Sequence, residues 1–165
     1  LAERDYTALA QELALRGVPQ AHDILREQLG RIENADRRAR FEFVLPAFSA
    51  DPAARDSFFA SLADVRNRSH EPWVIEGLSV LNHPLRADHA RQYIRPALDL
   101  LPEIQRTGDI FFPRRWVDAT LSGHATPEAA AVVRAFLDET PGLAPRLRGI
   151  VLQAADDLFR AAALR

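Results

Sequence analysis

Thr107-Gly108-Asp109-Ile110-Phe111-Phe112-Pro113-Arg114-Arg115-Trp116-Val117-Asp118-Ala119-Thr120-Leu121-Ser122-Gly123-His124 holds, in order, a helix stop, an aromatic cluster and a helix start. Ile110, Phe111, Phe112 and Trp116 bring four large apolar side chains into seven positions, with no catalytic chemistry attached. Pro113 suits the first turn of a new helix, where its missing N–H would have no intrahelical partner in any case. The expected role is structural, an aromatic wedge between helices.

On both sides of this stretch apolar residues recur at helical spacing. The stripes run Tyr6, Leu9, Ala10 and Leu13; Ala21, Ile24, Leu25 and Ile32; Phe41, Val44, Leu45 and Phe48; Phe58, Leu62 and Val65; Val74, Leu78 and Leu81; and Tyr93 through Ile104. After the aromatic cluster come Val132, Val133, Phe136 and Leu137, then Leu147, Ile150, Val151, Ala154 and Leu158. No sustained alternation of a strand appears. Breaks fall at Gly17-Val18-Pro19, Asp51-Pro52, Glu71-Pro72, His83-Pro84, Gly108, Thr126-Pro127 and Pro141-Gly142. Asp51 and Thr126 each precede a proline, so each is placed to cap a helix N-terminus. Pro96 and Pro102 either kink the sixth helix or divide it. The last helix is expected to run from near Pro145 to Arg165, with Arg146, Arg148 and Arg160 on its wet face.

Helix pairs repeating every 35 to 45 residues or so match the pitch of HEAT and armadillo solenoids. The expected fold is all-α, an irregular α-α superhelix of HEAT/armadillo-like antiparallel helix pairs with about eight or nine helices, forming a single domain over residues 1–165.

A chain of 165 residues can bury roughly 70% of its unfolded surface without disulfide or metal. Hydrophobic residues at 47% and charged residues at 27% are ordinary for a globular domain, and no apolar run reaches membrane-spanning length. All 21 basic residues are arginine, but they alternate with carboxylates to a net charge of -2, which disfavours a nucleic-acid partner. Without lysine or cysteine the chain has no Schiff base, thiolate nucleophile, Walker A loop or cysteine-bearing zinc finger. It begins at Leu1 rather than a start methionine, and is expected to be a segment excised from a larger parent.

His70-Glu71 opens the H-E-x-x-H pattern of zinc peptidases, but Val74 stands where the second histidine belongs. His22, His70, His83, His89 and His124 contain no i,i+4 pair. Asp156-Asp157 and Asp138-Glu139 are adjacent on helices, so their side chains diverge by about 100° rather than converge on a substrate. The serines lack a Gly-x-Ser-x-Gly elbow. Arg37, Arg38 and Arg40 read as a solvated helix face. Arg114 and Arg115 beside Trp116 differ: guanidinium groups next to an aromatic can line a groove that holds carboxylates or a peptide terminus. Those three are the candidate substrate-channel residues.

Four blocks carry a resemblance. Phe41-Glu42-Phe43-Val44-Leu45-Pro46-Ala47-Phe48-Ser49; Arg66-Asn67-Arg68 with Glu71-Pro72-Trp73-Val74; Leu81-Asn82-His83-Pro84-Leu85-Arg86; and Glu103-Ile104-Gln105-Arg106-Thr107-Gly108-Asp109-Ile110-Phe111-Phe112-Pro113 resemble the C-terminal helical domain of zinc aminopeptidases of the aminopeptidase N family. The resemblance covers about Leu29 to Phe159. It implies a parent metallopeptidase that removes N-terminal residues from peptides, with zinc held in a catalytic domain elsewhere. The family's zinc and exopeptidase motifs have no match here, so no catalytic, metal or cofactor role transfers to these residues. The domain is expected to be inactive alone and to wall the active-site cavity, admitting peptides and excluding folded proteins. Its expected partners are the catalytic domain of the same parent chain and peptide substrates. The competing expectation is a free-standing HEAT-like protein-interaction scaffold.

Overall fold

The computed structural model describes residues 2–164. Among them eleven α-helices follow one another: α1 (Glu3–Leu15), α2 (Ala21–Arg31), α3 (Ala35–Val44), α4 (Pro52–Ser61), α5 (Glu71–Leu81), α6 (Ala87–Asp99), α7 (Leu101–Thr107), α8 (Phe112–Leu121), α9 (Pro127–Glu139), α10 (Pro145–Ala154) and α11 (Asp156–Ala163). Short 3-10 turns at Leu45–Phe48, Val65–Arg68 and Pro84–Arg86 connect α3 to α4, α4 to α5 and α5 to α6, and no strand occurs among the described residues. The fold class is all-α.

Local chemistry explains most boundaries. Asp51 accepts from Ala53 N at 2.9 Å and Thr126 from Ala129 N at 3.2 Å, each with a proline opening the helix behind it. Asn34 caps α3 in the same way, accepting from Arg37 N at 3.0 Å. α1 ends at Gly17, whose φ of 69° is the left-handed value that closes a helix, and Val18 N then donates back to Leu13 O at 3.2 Å.

Two expected helices are each divided, which is why eleven are found where eight or nine were expected. The sixth breaks at Leu100, and Pro102 opens α7 because it has no N–H to continue the ladder of α6. Pro96 instead sits on the exposed side of α6, which runs past it. The last helix breaks at the buried Ala155, and Asp156 and Asp157 then occupy the first turn of α11, where carboxylates favour the helix dipole.

The helices pack in two rows. α3, α5, α8 and α10 each lie against the next, and α6, α9 and α11 do likewise. α4 joins the second row through Phe59, stacked on Tyr93 of α6 at 4.6 Å, and through Asp56, which accepts from the Tyr93 hydroxyl at 2.5 Å. α8 also packs on α6 and α7, so the core is deepest there. Phe112 and Trp116 are four apart on one face of α8 and are enclosed, edge to face at 6.0 Å, with Trp116 Nε1 donating to Ala97 O at 2.9 Å.

The aromatic wedge is therefore half of what was expected. Ile110 and Phe111 precede the helix and stay 63% and 69% exposed. The α1 stripe is also only partly covered: Ala10 is buried while Tyr6 and Leu9 are exposed, because α1 pairs with α2 through its small residues.

Three arginines work inside the structure. Arg55 donates to Ser49 O and Ala50 O, Arg68 to Leu62 O and Ala63 O, and Arg86 to Ala47 O and Phe48 O. Each satisfies carbonyls left open where a helix or turn ends. Burial lowers the Arg86 guanidinium to about 10.

Candidate functional site

The open face of the first row carries side chains that join each helix to its neighbour. Arg37 of α3 reaches Glu3 of α1 at 2.8 Å, and Arg40, one turn on, reaches Glu76 of α5 at 2.6 Å. Arg115 of α8 reaches Glu71 of α5 at 3.1 Å, and Arg114 donates to Gln153 of α10 at 2.9 Å. Arginines thus link α1 to α3, α3 to α5, α5 to α8 and α8 to α10. Arg114 and Arg115 serve opposite neighbours because adjacent residues on a helix diverge by about 100° and α8 lies between α5 and α10. Single exposed ion pairs of this kind contribute little each.

The tightest node is at Arg115. Its Nη2 donates to Glu71 Oε2 and to Asp109 Oδ2, the latter at 2.6 Å. Glu71 Oε1 accepts from Asp109 N at 2.8 Å, and Asp109 Oδ1 accepts from Phe111 N at 2.6 Å. Partial burial pushes the Glu71 carboxyl above its ordinary range. Arg115 Nε is buried with no partner.

The three sequence candidates are divided by this arrangement. Arg114 and Arg115 lie on the open face, with side chains 45% and 40% exposed. Trp116 does not: it points into the core, fully enclosed, and its indole N–H is already bonded, so it offers no surface to a ligand from this chain. The surface arginines Arg37, Arg38 and Arg40 are all paired with carboxylates, and Arg148, expected on a wet face, is half-buried and donates to Leu137 O at 2.9 Å.

Two hollows open beside the ladder. One, about 380 Å³, lies between α1, α3 and α5, with Arg4, Arg37, Arg40 and Glu76 over a floor of Ile32 and Phe41. The other, about 300 Å³, lies between α8 and the α10–α11 pair and is edged by Arg114, Asp118, Ser122, His124, Gln153 and Asp157.

The five histidines stay apart. His70 stacks on Trp73 at 4.0 Å, His83 accepts from Leu85 N, and His89 contacts Asp56 at 2.8 Å. His124 is buried, and its Nε2 donates to Asn82 Oδ1 at 3.0 Å, while Asn82 Nδ2 donates to Leu78 O. Burial, helped by the nearby Arg91 charge, lowers His124 to about 4 and keeps it neutral. Among the described residues no three His, Asp or Glu side chains gather as metal ligands would. Among the described residues no helix is long and apolar enough to cross a membrane.

No family model, curated protein or solved structure matches the chain.

The segments 41–49, 66–68 with 71–74, 81–86 and 103–113 are joined two by two. Arg68 pairs with Glu103, Glu71 holds the Asp109 amide, and Arg86 clips the Ala47 and Phe48 carbonyls. Glu76, Asp109 and Gln153 carry no signal of this role in the sequence, and Glu71 is marked there only as half of a zinc motif, because partners 36 to 44 residues apart leave no local pattern. What the series supplies chemically is partly exposed guanidinium groups, each already engaged by a carboxylate or an amide oxygen.

Proposed function

We propose that this chain is the non-catalytic C-terminal helical domain of a zinc aminopeptidase of the aminopeptidase N family, and that its helix pairs form an irregular HEAT/armadillo-like superhelix walling the parent's active-site cavity. The observation that carries this is the interlocking of the resembling blocks. Arg68–Glu103 and Glu71–Asp109 join the second block to the fourth, the Arg86 clip joins the third to the first, and Phe43 against Trp73 at 5.9 Å joins the first to the second. The polar ladder supports the rest of the reading. A rigid wall limits access by size, and its charged groups bias which peptide ends are held.

Under this reading zinc and the acid-base residues belong to the parent's catalytic domain, and the partners of this segment are that domain and peptide substrates. Nucleic acid is disfavoured because most arginines on the open face are already paired. The test is alanine at both Arg114 and Arg115 in the full parent enzyme. The expected result is a raised KM for longer peptides, with dipeptide-sized substrates little affected and kcat retained. An unchanged KM and unchanged length preference would reject the wall as a substrate contact.

A further inference from the structure

Ile110 and Phe111 form the most exposed pair of adjacent large apolar side chains among the described residues, at 63% and 69%. A single exposed apolar residue is ordinary on a protein surface, but two neighbours held in place are not. Their backbone is pinned from four directions. Asp109 Oδ1 takes the Phe111 amide, Glu71 takes the Asp109 amide, Arg115 holds the Asp109 carboxylate, and Arg146 Nη2 of α10 donates to Ile110 O at 2.9 Å. The chain therefore holds an aromatic and an aliphatic side chain out to solvent on a fixed loop. Little further ordering is needed for them to enter a partner, and aromatic anchors set in this way carry most of the affinity at interfaces.

Charge narrows the partner. Beside the knob, Arg115 is matched by Glu71 and Asp109, and Arg114 by Asp118. Arg146, which holds the Ile110 carbonyl, has no carboxylate partner among the described residues. The surface that fits is an apolar socket with carboxylates at its rim. A knob-to-knob contact between two copies is disfavoured, since it would set Arg146 against its own counterpart.

We propose that Ile110 and Phe111 are a preset docking knob that seats in an acid-rimmed apolar socket on the catalytic domain of the parent chain. The identity of the partner rests on the proposed function; the knob and its chemistry do not. The test is hydroxyl-radical footprinting of the full parent, with peptide hydrolysis measured on the same sample. After correction for intrinsic reactivity, Phe111 is expected to react roughly tenfold more slowly than the similarly exposed Leu85, because the centre of an interface excludes water. The double variant Ile110→Ser with Phe111→Ser is expected to keep its helix content while the two domains separate in small-angle scattering. Phe111 as reactive as Leu85 overturns the proposal, and so does protection that disappears on dilution, which would mark self-association. An open Phe111 in an active zinc peptidase rejects the knob alone. A protected Phe111 in a parent without peptidase activity supports the knob and rejects the enzyme assignment.

Discussion

Gly123 sits against the backbone of Asn82: a Cβ built at 123 would lie 1.6 Å from Asn82 O. The turn after α8 thus closes directly onto the end of α5, beside the bond from His124 to the Asn82 side chain. Only glycine permits that approach. Gly123→Ala is expected to destabilise the chain by more than about 3 kcal/mol, in the tail reserved for strain and core disruption. Gly149, inside α10 with open space around its Cβ position, is the control. Gly149→Ala is expected to stabilise by about 0.5–1 kcal/mol through helix propensity alone. Urea denaturation of both variants checks the pair.

Acid is expected to weaken the fold through His124. The folded state holds this imidazole neutral, at about 4 against an ordinary value of 6.5. Between those two values the unfolded chain binds a proton that the folded chain refuses, so stability falls as pH drops from 6.5 towards 4. At pH 5 the loss from this group is up to about 2 kcal/mol. His124→Gln is expected to be less stable at pH 7 but to lose that share of the pH dependence, leaving a flatter profile from pH 7 to 5. Chemical denaturation of the two proteins at each pH gives the comparison.

Arg68 is a structural cation. Its side chain is 2% exposed, it satisfies two carbonyls where α4 ends, and it pairs with Glu103 of α7. Arg68→Met removes the charge and opens both carbonyls while leaving Glu103 partly solvated, for an expected loss of about 2–4 kcal/mol. Arg66, two residues earlier, is exposed and pairs only with Asp64, so Arg66→Ala is expected to leave Tm nearly unchanged. A Tm loss as large for Arg66→Ala as for Arg68→Met would contradict this division.

The helices were legible wherever a residue type forces the backbone. Asp51-Pro52 and Thr126-Pro127 announced their caps, and Gly17 its stop, because a side-chain oxygen or a left-handed φ leaves a local mark. The break at Ala155 left none: it has no glycine or proline, and tertiary packing decides it. The arginine residues were the harder case. A periodic pattern places Arg114 and Arg115 opposite the buried face of α8, yet Trp116, next in sequence, turns inward to meet Ala97. Arg55 and Arg68 look like any charged residue in the chain, since carbonyls five and six residues back fall on no helical or strand period, and those that Arg86 satisfies come from 38 and 39 residues away. Glu71 and Asp109 lay inside the quoted blocks, but their meeting through Arg115 is a property of the packed rows.

On the proposed function, these helices shape access to a zinc peptidase centre held elsewhere in a parent chain. The most direct measurement is release of N-terminal residues from peptides by the complete parent, with and without a zinc chelator, beside the same assay on this segment. The account predicts turnover by the parent, loss of that turnover on chelation with recovery when zinc is restored, and none by the segment. A parent that cleaves no peptide, or a segment that turns over substrate by itself, would contradict it.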